Sequence, residues 1–171
     1  MDFHIGEKVV YPNQGVGIVE QISTRNLTGQ PEMFYLLKLN SSSLRVMVPR
    51  SNVGNVGLRR VAKKNEIGDI LDYLHKGRCD SPQDWKWRFK ENTEKMKNGS
   101  LQQVAEVLKN LVMLNSAKPL SFREKKMLDR AWSLLVDEIS ISRGLTRENV
   151  ESQLAKVLGK PNPKASLSVE N

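Results

Sequence analysis

Near residue 60 the punctuation of this 171-residue chain changes, and that change limits its fold more than any other feature. Before it, short β-branched runs alternate with Gly, Asn and Pro. After it, apolar residues recur at helical spacing between capping signals. The two halves therefore call for different secondary structure, and a chain of this length accommodates two small domains.

Lys8-Val9-Val10-Tyr11 reads as a strand stopped by Pro12 and the turn residues Asn13, Gln14 and Gly15. Val16 to Ile22 reads as the second strand, and residues 23–32 as a loop or hairpin tip. Met33 to Leu39 is the third, Leu44 to Val48 the fourth, ended by Pro49, and a short fifth strand is expected around Val56 to Arg59. Five short strands in about 60 residues suggest a small, strongly bent barrel, closed or with one edge left for a partner.

The second half supplies helix boundaries. Asn65 is placed as a cap for a helix to His75 or Lys76. Ser81-Pro82-Gln83-Asp84 joins a Ser cap, a Pro at the first helical position and an acid three residues on; that helix runs to Asn98 and stops at Gly99. Ser100 caps a helix to about Asn115 with Leu101, Val104, Ala105, Leu108, Leu111 and Val112 on one side. Ser121 opens a long helix to Arg143, closed by Gly144, and Thr146 opens the last, closed by Gly159. The fold class is α+β: residues 1–62 a β-barrel domain, 63–159 an all-α bundle of about five helices, and 160–171 a tail with little to bury and no expected order.

The net charge is +8, spread along the chain without a polybasic block. That balance favours a polyanionic partner met by folded faces. No apolar run is long enough for a membrane span and no secretory signal is visible. A single cysteine, Cys79, fits a reducing cytoplasm, and without a signal the Asn-x-Ser/Thr matches at Asn26, Asn40 and Asn98 carry no meaning. His4 and His75 lack further ligands at metal spacing, so no metal and no cofactor are expected. Gly15-Val16-Gly17 lacks the third Gly and the following helix of a phosphate loop, and reads as a hairpin turn. Cys79 lies beside Asp80, which raises a thiol pKa, and no Ser nucleophile stands out. No enzyme is expected.

The run Trp85-Lys86-Trp87-Arg88-Phe89-Lys90 interleaves three aromatic rings with three cations. Cations meet phosphates, and flat rings stack on bases or wedge between them. The competing reading is core. Periodicity puts Trp85 with Phe89 and Met96 on the apolar face, while Trp87 shares a face with Lys90 and Glu94 and is the exposed ring. Trp85 nevertheless falls in the first helical turn, where a side chain leans back past the helix start and can protrude. Trp132, with Leu128, Leu135 and Ile139, reads as core.

Several segments resemble the CarD/CdnL family of bacterial transcription regulators. They are Phe3-x-x-Gly6-x-x-Val9-Val10-Tyr11-Pro12-x-x-Gly15, Val48-Pro49 followed by Val56-Gly57-Leu58-Arg59, Trp85-x-x-Arg88-Phe89-Lys90, Ala105 to Lys109, and Leu120-Ser121-x-x-Glu124-Lys125-x-Met127-Leu128. The resemblance spans roughly residues 1–158. It implies a Tudor-like N-terminal domain that docks on the RNA polymerase β subunit through Arg25, Asn26, Leu27, Arg45, Met47 and Pro49. It implies a helical domain on promoter DNA at the upstream fork, with Trp85 as a wedge that favours the open complex and Lys86, Arg88 and Lys90 on phosphates. Family members are cytoplasmic and reach the nucleoid through polymerase. One departure is Met47, where some members carry Arg. A monomer is the default. The alternative reading is a protein–protein adaptor of the transcription machinery that never meets DNA; a third is an RNA-binding barrel.

Overall fold

The computed structural model describes residues 2–78 and 84–160. By their own packing, residues Met1–Val61 and Ala62–Asn171 form two compact units. The expected Ser81 cap and Pro82 start, the setting of Cys79 and all but Lys160 of the tail expected over 160–171 lie outside the described residues.

The first unit is one antiparallel sheet of β1 (Lys8–Tyr11), β2 (Gly15–Asn26), β3 (Pro31–Leu39), β4 (Arg45–Pro49) and β5 (Arg59–Arg60), in the order β4-β3-β2-β1-β5. Among the described residues β4 and β5 do not pair, so the expected barrel is not closed: of the two forms expected, closed or with an edge left free, the sheet has the open one. The cause is visible in the sequence between them. After β4 the chain enters a 3-10 turn at Arg50–Asn52 and one helical turn, α1 (Val53–Val56), closed by Gly57 in the left-handed region. Val56 is thus helical, and the fifth strand shrinks to Arg59–Arg60 on β1.

β2 also outruns its expected end. Residues Ser23 to Asn26 pair with Phe34 to Pro31, so β2 and β3 continue as a two-stranded ribbon and only 27–30 remain as loop. Between Val19 and Gln21 the register shifts, leaving Glu20 as a β-bulge. The core under the sheet is Phe3, Val9, Val19, Tyr35, Leu37, Val48, Val53 and Leu58. Phe3 meets Tyr35 edge-on at 5.6 Å between ring centroids.

Among the described residues the second unit holds α2 (Lys64–Lys76), α3 (Trp85–Asn98), α4 (Leu101–Ala117), α5 (Phe122–Arg143) and α6 (Arg147–Leu158), giving six α-helices with α1. The caps at Ser100, Ser121 and Thr146 each accept from the backbone N–H three residues on. α2 departs from expectation: Lys63, not Asn65, stands at its cap, and Glu66 accepts from the Lys63 N–H at 2.6 Å. The core gathers on Trp132, fully buried among residues that include Leu108, Leu111, Leu135, Ile139 and Leu154. Ala62 is held from both sides: Glu138 accepts from its N–H at 2.9 Å and the Ser142 hydroxyl donates to its carbonyl at 2.5 Å.

Gly17 is a glycine of the sheet with no room for a side chain. A Cβ there would lie 2.8 Å from the Lys38 carbonyl oxygen and 3.1 Å from Leu39 Cδ2. The backbone of β3 is one of the two obstacles, so the clash cannot be relieved by rotating a side chain. Gly17→Ala is expected to destabilise the first unit by about 1–3 kcal/mol. Faster hydrogen exchange of the β2 and β3 amides is the readout; unchanged exchange would contradict the close approach.

Candidate nucleic-acid and protein interfaces

α3 starts at Trp85, with the Asp84 carboxylate accepting from the Lys86 N–H at 2.9 Å. Asp84 therefore takes the capping place expected for Ser81, and Trp85 is the first helical residue. Trp85 lies one turn before Arg88 on the stripe that continues through Asn92 and Met96, all three buried. Trp85 itself is 58% exposed. The stripe explains both facts: the helix begins before the bundle does, so its first inward residue overhangs the edge. Trp87, on the opposite side, is 62% exposed. Periodicity alone put Trp85 toward the core; its place in the first turn decides otherwise.

Two of the three cations stand beside these rings. Lys86 Nζ lies 5.9 Å from the Trp85 ring and Lys90 Nζ 5.4 Å from the Trp87 ring. Both lysines are exposed, so charge and ring are presented together. Arg88 differs. It is 4% exposed, and its guanidinium pairs with Glu124 of α5 at 3.6 Å. A buried, neutralised guanidinium does not reach a phosphate, so the expectation that Arg88 touches DNA is corrected.

The Arg88 contact sets the first turn of α3 beside the first turn of α5. Arg123 lies 6.0 Å from the Phe89 ring, and Phe122 is 72% exposed with Lys126 Nζ at 4.6 Å from its ring. The aromatic-beside-cation arrangement of α3 is therefore repeated on α5. In the sequence, Ser121-Phe122-Arg123-Glu124 reads only as a helix start. The signal was an aromatic at the first helical position followed by Arg and Lys, as at Trp85.

In the first unit, Arg25 and Asn26 close β2, and Leu27 opens the exposed turn beyond it. Arg45, Met47 and Pro49 lie on β4, one of the two outer strands of the sheet. Pro49 pairs with Phe34, toward the 25–27 turn, and Arg45 pairs with Lys38, at the other end. Leu27, Leu44 and Met47 give this side an apolar character, since all three are exposed. The Arg45 charge is already engaged. Its Nε and Nη2 donate to the bulged Glu20 carboxylate at 2.8 and 3.2 Å. Among the described residues no group of His, Cys and acidic side chains is placed to hold a metal, and no helix is long and apolar enough to cross a membrane.

The hydrogen bond from Arg45 holds the Glu20 carboxyl below its ordinary 4.5 against an opposing desolvation, with the charges of Arg45 and Lys38 adding to the lowering, and Glu20 in turn raises Arg45. Because the folded value is depressed, the pair's contribution is in place above the ordinary value and is lost as pH falls through the lower folded one. A carboxyl-resolved NMR titration should give Glu20 a midpoint below 4.5, and Arg45→Gln should move it back up. A midpoint that does not respond to Arg45→Gln would contradict the pairing.

Comparison with known proteins places both halves. The family described as CarD, C-terminal domain, matches residues 69–155, and the family described as CarD-like/TRCF RID domain matches residues 3–62. YdeB of Bacillus subtilis (strain 168), named as a candidate transcription factor, is 33% identical over 150 residues, covering 88% of this chain and 98% of its own. Two solved structures overlap a part of the chain. The 72-residue N-terminal domain of Myxococcus xanthus CarD is 36% identical over 34% of this chain and 79% of that one, with a TM-score of 0.31. The Myxococcus xanthus CdnLNt structure is 41% identical over 37% of this chain and 90% of that one, with a TM-score of 0.32.

Proposed function

The chain belongs to the CarD/CdnL family of transcription factors, and from that premise we propose that it docks on the RNA polymerase β subunit and stabilises the promoter open complex. In this reading the first unit supplies the polymerase contact. The second lies at the upstream edge of the bubble with Trp85 as the wedge, and Lys86 and Lys90 on phosphates. The observation that carries the proposal is the exposed Trp85 ring at the overhanging start of α3, with Lys86 beside it.

The physical case is one of matched strengths. Unstacking a base step costs a few kcal/mol in duplex DNA and less where the step is already open, so a wedge favours the melted fork. The cations beside it are few, which suits weak DNA affinity of the second unit alone. Docking through the first unit raises the local concentration of that surface near the promoter, so strong independent binding is not required.

The proposed polymerase contact runs from Arg25, Asn26 and Leu27 to Arg45, Met47 and Pro49. β4 is an outer strand, and such strands accept a partner strand through backbone hydrogen bonds. Met47 and Leu27 add apolar area. With Arg45 held by Glu20, Arg25 is the cation expected to contribute most of the charge attraction.

Trp85→Ala should leave polymerase binding intact and shorten the open-complex lifetime by about fivefold or more, the scale of one lost aromatic–base contact. Equal lifetimes for variant and parent would remove the wedge. Arg25→Glu should weaken binding to the β subunit, measured by titration of the purified full chain; unchanged affinity would move the interface elsewhere. DNA contact itself is tested by binding of the full chain to fork DNA across a salt series, where affinity should fall as salt rises. A flat response would favour a protein adaptor.

A further inference from the structure

We infer that Arg88 and Glu124 are positioning residues for Trp85: their buried ion pair fixes the rotation of α3 and so the direction in which the wedge ring leaves the bundle. This deepens the proposed function and rests on it.

α3 is joined to the bundle in an unusual way. Its buried residues are Arg88, Asn92 and Met96, and only the last is apolar. The inner contacts are polar, two of them between opposite charges and one an amide hydrogen bond. Arg88 pairs with Glu124 at 3.6 Å, the Asn92 amide donates to Asn110 Oδ1 at 3.1 Å, and Lys95 meets Glu106 at 3.0 Å. Apolar packing tolerates small rotations of a helix about its axis, because methyl groups have no preferred partner. A charged pair and an amide pair do not, because turning the helix separates opposite charges or breaks the bond.

Arg88 is the contact nearest the wedge. It lies three residues from Trp85 on the same face, so a rotation at Arg88 is transmitted to Trp85 through less than one helical turn. Its partner is equally well placed. Glu124 is the third residue of α5 and is itself held in the cap, its N–H donating to Ser121 Oγ at 3.3 Å and Ser121 Oγ donating to Glu124 Oε1 at 3.2 Å. Among the described residues, Arg88 Nε and Glu124 Oε2 have no hydrogen-bond partner. The pair is therefore buried but incompletely satisfied, which is a poor arrangement for stability and an effective one for fixing orientation.

Stability and orientation make opposite predictions, and the test uses that. Replacing a buried ion pair by apolar groups of similar size is commonly neutral or stabilising. In the full chain, Arg88→Met/Glu124→Met should leave the thermal unfolding of the second unit unchanged or raised and leave polymerase binding intact. The open-complex lifetime should nonetheless fall most of the way to the Trp85→Ala value. The Trp85 indole N–H resonance of the free protein should shift or broaden. Arg88→Lys, which keeps the charge but shortens the side chain and loses the guanidinium that meets Glu124, should also shorten the lifetime with little loss of stability.

A parent-like lifetime in both variants, with Trp85→Ala short, overturns the positioning role and leaves the wedge standing. If the double variant unfolds more readily, Arg88→Lys decides, and a parent-like lifetime there overturns the inference. If Trp85→Ala itself has no effect, the wedge reading fails, and the indole resonance judges Arg88 alone: an unchanged resonance in the double variant overturns it.

Discussion

Arg88 and Glu124 face each other in the interior at the head of the helical unit, 36 residues apart in the chain, and what α3 presents to solvent follows from that contact. A helix that buries one methionine cannot be held by area alone. At about 25 cal/mol per Å² of apolar surface, the usual attachment of a helix comes from a continuous apolar stripe. α3 has instead a line of polar contacts through Arg88, Asn92 and Lys95. Such contacts contribute little net stability once desolvation is counted, but they admit few orientations. Trp85 inherits that constraint because it stands on the same face one turn earlier.

The rest of the helical unit provides the rigid base that this arrangement needs. Trp132 of α5 packs in an apolar core to which α4 and α5 contribute most of the buried residues. Two buried residues of α4 are polar: Asn110, which accepts from Asn92, and Lys109. Its ammonium donates to the Tyr73 and Leu74 carbonyls at 2.9 and 3.0 Å, which satisfies the end of α2. The last carbonyls of a helix carry partial negative charge, so a buried lysine is accommodated there. The unit thus divides its labour: α2, α4, α5 and α6 build the core, while α3 is set on its edge with its aromatic start overhanging.

The first unit uses a different constraint. The bulge at Glu20 takes one residue out of register, and that residue is the one that engages Arg45 on the outer strand. A strand edge with exposed Leu44 and Met47 is a surface that invites pairing. Neutralising Arg45 from within the unit leaves the edge less charged than its sequence suggests. An apolar residue at position 47 and an occupied Arg45 both lower the charge this edge presents.

Local chemistry was legible in the sequence because its partners lie a few residues away. Ser100, Ser121 and Thr146 cap the residues just after them, so the helix starts followed directly. The Tyr11 to Gly15 turn could be read for the same reason. Where partners are distant, the reading failed. β2 continues to Asn26 only because Pro31 to Phe34 run alongside it; Val56 is helical because the chain turns after β4; and the sheet stays open because β5 is two residues long. Sequence alone determined two regions of opposite periodicity, a stripe that carries Trp85, and an aromatic-basic run. Only the tertiary structure decided that Arg88 turns inward to Glu124 while Trp85, on the same stripe, emerges. A helix face is set by the chain, but which of its residues are covered depends on where the neighbouring helices end.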